Sequence, residues 1–121
     1  MCRTANGADI NAEPGVNPQR KDGRGNICPV TIILPTLAME AKLAPHDYPQ
    51  GSSEEQIVNT FMDLLNTKIY EAKDMLLERF EWICSQNPAS AKFMYENNVM
   101  MGYKPEEGIR SALKHGTLAV G

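Results

Sequence analysis

Hydrophobic positions in this chain are organised most clearly between residues 53 and 86. There Ile57, Phe61, Leu64, Leu65, Ile69, Ala72, Leu76, Phe80 and Ile83 recur at intervals of three and four. That spacing places them on one stripe of an α-helix, and Lys68, Lys73, Glu78 and Glu81 fall on the facing side. Ser53 followed by Gln56 matches a capping box, and Glu54 and Glu55 suit the positive end of the helix dipole. At a rise of about 1.5 Å per residue the helix would be about 50 Å long, which requires a large body to lie against.

The rest of the pattern is shorter. Val30-Thr31-Ile32-Ile33-Leu34 is a β-branched run held between Pro29 and Pro35. It does not alternate, so it reads as a strand buried on both faces. Thr36 to Leu43 has good helix formers and predicts a short helix ending before Pro45, with 46–51 as connector. Asn87-Pro88 stops the long helix and opens another to about Asn97. Lys104-Pro105-Glu106-Glu107 opens a last helix to about His115, with Gly116 placed as its C′ residue. Residues 5–25 contain Asn6-Gly7, Pro14-Gly15, Asn17-Pro18 and Asp22-Gly23, which are turn formers, and predict a long irregular loop. A lone buried strand without a partner, and the apolar tail Thr117-Leu118-Ala119-Val120-Gly121, both read as parts of something larger.

Composition narrows the function classes. At 121 residues there is room for one small domain, and 42% hydrophobic content disfavours disorder. A net charge of −3 argues against nucleic acid as a partner, since phosphate neutralisation needs clustered cations. Arg20, Lys21 and Arg24, interrupted by Asp22, read as a solvated loop in preference to a phosphate contact. No apolar run reaches the ~18 residues of a membrane span, and no signal peptide is visible. Cys2, Cys28 and Cys84 form neither a C-x-x-C pair nor an even set, so a reducing, cytoplasmic setting is expected.

Common catalytic motifs are missing: there is no phosphate loop, zinc-protease helix or nucleophile elbow. His46 and His115 are isolated, and His115 reads as a cation compensating a helix C-terminus. Met62, Met75, Met94, Met100 and Met101 read as core filling. Cys84, beside Ile83, also reads as core. Cys28 reads as a small buried hydrophobe, with a second redox role as the alternative.

Two segments carry a family likeness. Met1-Cys2-Arg3-Thr4 resembles the Cys-Arg-Ser/Thr signature on the finger loop of anaerobic, glycyl-radical ribonucleotide reductases. Arg24-Gly25-Asn26-Ile27 with Val30-Thr31-Ile32-Ile33-Leu34-Pro35 is similar to that family's Gly-Asn plus VTINLPR segment. The likeness continues through Leu37-Ala38-Met39-Glu40-Ala41, Gly102-Tyr103 and the stretch from Gly108 to Thr117. Ile33 and Thr36 depart from it, standing where the family shows Asn and Arg.

The resemblance implies a mainly α fragment with one or two short strands, drawn from a ten-stranded α/β barrel of the glycyl-radical enzyme type. Residues 1–28 would hold the finger-loop cysteine and an irregular loop, 29–51 a strand and short helix, and 52–121 a helical region. Cys2 would be the thiyl-radical residue and Asn26 the asparagine that hydrogen-bonds the ribose hydroxyls. The implied reaction turns ribonucleoside triphosphates into deoxyribonucleotides, for DNA replication, with formate as reductant. The glycyl radical, made by a radical-SAM activating enzyme, a structural zinc and an ATP-binding region for nucleotide effectors would lie outside this stretch. The parent would be a homo-oligomer, and the fragment inactive by itself. The rival readings are another glycyl-radical enzyme of the pyruvate formate-lyase type, which commonly shows closely spaced catalytic cysteines, and a small helical interaction module without catalysis.

Overall fold

The computed structural model describes residues 6–44 and 54–121. In chain order these form strand β1 (Asn26–Val30), helix α1 (Leu34–Leu43), helix α2 (Glu54–Cys84), a 3-10 turn (Pro88–Ala91) leading into α3 (Lys92–Glu96), helix α4 (Ile109–Leu113) and strand β2 (Thr117–Val120). The described residues are thus mainly helical with two short strands, the class expected from the sequence. The anticipated connector 46–51, the cap at Ser53, and His46 lie outside the described residues.

The chain divides into two compact units: residues 1–29 with 76–119, and residues 30–75 with 120–121. In the first, Tyr95, Ile109, Ala112 and Leu113 are buried together, and Ile27, Phe80, Ile83 and Tyr103 pack against them. The Tyr95 and Tyr103 rings meet at 5.3 Å in a tilted arrangement. Arg110 crosses the Phe80 ring at 5.4 Å and its Nη1 donates to Glu81 Oε1 at 3.1 Å. Asn87 caps the 3-10 turn by accepting from the Ala89 N–H at 2.9 Å, and Pro88 sits in its first turn, where a missing donor costs nothing. In the second unit the buried apolar side chains are Leu37, Ala41 and Ala72. The stripe read from the sequence is the face α2 turns inward: Ala72 and Leu76 are buried, most of the others half-buried, and only Ile69 is exposed.

Three expectations are corrected. First, the strand lies earlier than the Val30–Leu34 run, and it is paired: β1 ends at Val30 and runs parallel to β2, which the apolar tail forms. Thr117 N donates to Gly25 O and Gly121 N donates to Val30 O, so five steps along one strand oppose four along the other. One extra residue is therefore accommodated in β1, at the stretch holding Pro29, which has no N–H to offer a ladder. Pro35 presets helical φ in the first turn of α1, which takes Leu34 out of the strand. Ile33 and Leu34 are accordingly 64% and 49% exposed, not buried on two faces.

Second, residues 104–108 form a closed turn, not the opening of a helix. The Glu107 and Gly108 N–H groups both donate to Lys104 O, and Gly108 adopts a φ of 69° that ends any helical continuation. Third, α4 stops at Leu113, so Gly116 is not its C′ residue and does not take a positive φ. Gly116 serves a close approach instead, since a Cβ there would fall 2.6 Å from Ile27 Cδ1.

Candidate functional site

Asn26 opens β1 at the point where the irregular segment ends, and it is half-buried. Asn26 and Cys28 occupy alternate positions of the strand and share a face, while Ile27 reaches the Tyr95–Leu113 cluster from the other. Cys28 is buried at 7% exposure, in keeping with its reading as a small hydrophobe. Cys2, the other predicted site residue, lies outside the described residues, so its separation from Asn26 is not a feature of this structure. Cys84 is half-buried beside the same cluster; burial pushes its thiol upward, Arg110 pulls the other way and Glu81 adds to the rise. That is the setting of an inert thiol.

The segment leading to Asn26 is tied down by Asp9, Arg24 and His115, none of which the sequence marked as a structural tie. His115 was expected to be a helix-terminal cation. It is instead a buried side chain, 6% exposed, whose Nδ1 lies 2.8 Å from Oδ2 of the equally buried Asp9. A five-residue helix that has already ended at Leu113 has little dipole left to compensate. Burial raises the Asp9 carboxyl, but the hydrogen bonds from His115 and the Asn11 N–H, with attraction to His115 and Arg24, leave it below the usual carboxylate range.

Arg24, read as part of a solvated loop, makes structural contacts. Its Nε donates to His115 O at 2.7 Å, and its Nη1 donates to Gly7 O at 2.9 Å and Arg20 O at 3.0 Å. Gly102 stands behind the imidazole: with φ at 83°, a Cβ added there would lie 3.0 Å from His115 Nε2 and Cδ2. No local spacing rule could have joined Asp9 to His115, because 106 residues separate them.

Among the described residues no group of three or more His, Cys, Asp or Glu side chains could hold a metal ion. None of their helices is long and apolar enough to cross a membrane. The family model for anaerobic ribonucleoside-triphosphate reductase matches residues 1–121, and the chain belongs to that family. Neither a curated protein nor a solved structure matches it.

Proposed function

We propose that residues 1–121 are part of the catalytic barrel of an anaerobic ribonucleotide reductase, in which Cys2 becomes the thiyl radical and Asn26 binds the ribose hydroxyls. The observation that carries this reading is the family match along the whole chain, with Asn26 standing at the junction of loop and strand. A glycyl radical elsewhere in the enzyme supplies an acceptor for the thiol hydrogen atom.

Cys2 then takes the 3′ hydrogen of a ribonucleoside triphosphate, and the 2′ hydroxyl leaves as water. Formate provides the reducing equivalents, and the hydrogen returns from Cys2 to the 3′ carbon. Hydrogen-atom transfer needs no lowered thiol pKa; it needs the sulfur held against one carbon in a site closed to water. A finger loop inside a barrel meets that need. Asn26 carries both a donor and an acceptor, which suits adjacent hydroxyls. A reducing, cytoplasmic setting, a radical-SAM activating enzyme, nucleotide effectors and a homo-oligomer belong to the same proposal.

The test uses the complete reductase with its activating enzyme. Cys2→Ala is expected to develop the glycyl radical, read by electron paramagnetic resonance, yet form no deoxynucleotide. Asn26→Ala should keep the radical and lower kcat/KM by about 5- to 150-fold, the equivalent of about 1–3 kcal/mol of lost hydrogen bonding. Turnover by the Cys2→Ala enzyme would remove that residue from the chemistry.

A further inference from the structure

Residues 6–25 contain no helix or strand, and most of their side chains are exposed; Ile10 is 93% exposed. The segment's own hydrogen bonds close local turns, with Asp9 N donating to Pro18 O at 2.8 Å, and its placement against the rest of its unit comes from its attachments. Apart from the Met101 N–H, which donates to Gly23 O at 3.0 Å, the attachments converge on a few consecutive residues before and at the start of β2. Asn11 Nδ2 donates to Lys114 O at 2.7 Å, and Thr117 Oγ1 donates to Asn6 Oδ1 at 3.0 Å.

Between them stands His115, which holds the segment twice. Its ring engages Asp9 and its carbonyl accepts from Arg24, two residues before Asn26. Both ends of the segment are thereby gathered onto one residue. Of these attachments the Asp9–His115 bond alone joins two buried side chains.

Each partner is fixed from behind. The second Asp9 oxygen accepts from the Asn11 N–H at 2.9 Å, which sets the carboxylate plane. The Nε2 edge of His115 lies against Gly102, where a Cβ would come within 3.0 Å of it, and the Nδ1 edge is turned to Asp9. A tie restrained on both sides transmits position, not merely cohesion.

We propose that Asp9 and His115 are positioning residues for the reductase reaction: their hydrogen bond fixes the segment from Asp9 to Arg24 that leads into Asn26. The inference rests on the reading of those two residues given above. A misplacement of about 1 Å at a reacting group costs on the order of 10²-fold in rate, so loss of the tie should appear in kcat.

The decisive comparison is His115→Asn against His115→Gln in the activated, full-length reductase. An Asn amide nitrogen takes the place of Nδ1 and keeps the bond to Asp9. A Gln nitrogen takes the place of Nε2 and abandons it. His115→Asn should retain a kcat close to that of the parent, while His115→Gln should lose about 10- to 100-fold, with the glycyl-radical signal unchanged and KM little altered. Asp9→Ala should match His115→Gln, and combining the two should cost no more than either.

Equal kcat in the Asn and Gln enzymes, whether high or low, overturns the proposal. So does a Gln enzyme that fails to fold while the Asn enzyme melts normally, since the bond would then be structural alone. Cys2→Ala, run alongside, separates the two readings. Turnover there removes the assignment of Cys2 whatever the His115 enzymes do. A silent Cys2→Ala enzyme beside indifferent His115 variants removes only the tie.

Discussion

At the scale of single residues, the Asp9 carboxylate couples folding to pH. It is buried, which by itself favours the neutral acid, yet the His115 and Asn11 hydrogen bonds and the nearby charges hold its pKa below the ordinary value. A carboxyl depressed in the folded state stabilises that state at pH values above its unfolded pKa of about 3.9. The contribution is lost as pH falls through the lower native value. Asp9→Asn should therefore be less stable than the parent near neutrality, with the gap closing below about pH 4. Urea unfolding across that range reads it directly. A gap of constant size would show that the Asp9 charge is not coupled to folding.

At the scale of elements, the turn at 104–108 and helix α4 depend on one buried hydroxyl. Ser111, 1% exposed, accepts from the Lys104 N–H at 2.8 Å and donates to Gly108 O at 2.6 Å. The residue at the N-cap is Gly108, which offers no side-chain cap; Ser111 instead ties the Lys104 N–H to the Gly108 carbonyl and so joins the turn to the start of the helix. Ser111→Ala removes both bonds and strands the Lys104 N–H, which should cost about 1–3 kcal/mol in equilibrium unfolding. A change inside about 0.5 kcal/mol, the ordinary range for an inconsequential substitution, would mean the turn closes without it.

Elements of this size also show what could be read from the sequence. Helix α2 was legible almost to the residue, because its stripe repeats over 31 residues and averages out local noise. A helical stretch from Pro88 to about Asn97 was legible from Asn87-Pro88, whose cap and ring act locally, but not that its first turn is 3-10. The strand was misplaced because Pro29 and Pro35 look alike as breakers in sequence. In the fold Pro29 lies inside β1 and Pro35 starts a helix. Asp9, Arg24 and His115 were illegible as a group, since their association exists only once β2 has formed beside β1. The assignment of Cys2 and Asn26 rests on family likeness alone, and nothing local distinguishes them from a terminal thiol and a turn amide.

At the scale of the whole molecule, stability should be uneven along one continuous helix. Residues 54–75 of α2 belong to one compact unit and 76–84 to the other. The unit that holds 54–75 draws its buried apolar side chains from Leu37, Ala41 and Ala72, two of which are alanines. The unit that holds 76–84 buries Cys28, Leu76, Tyr95, Ile109, Ala112 and Leu113, a larger apolar store with an aromatic pair. Burial near 25 cal/mol per Å² makes that difference decisive, because helical hydrogen bonds exposed to water hold a segment only weakly. Local opening follows the weaker packing, so amide exchange should be faster in 57–71 than in 76–84, although both stretches share one unbroken helix. Hydrogen–deuterium exchange with peptide-level resolution measures the gradient. Uniform protection from 57 to 84 would mean that α2 opens as one cooperative body and that the two units share a single stability.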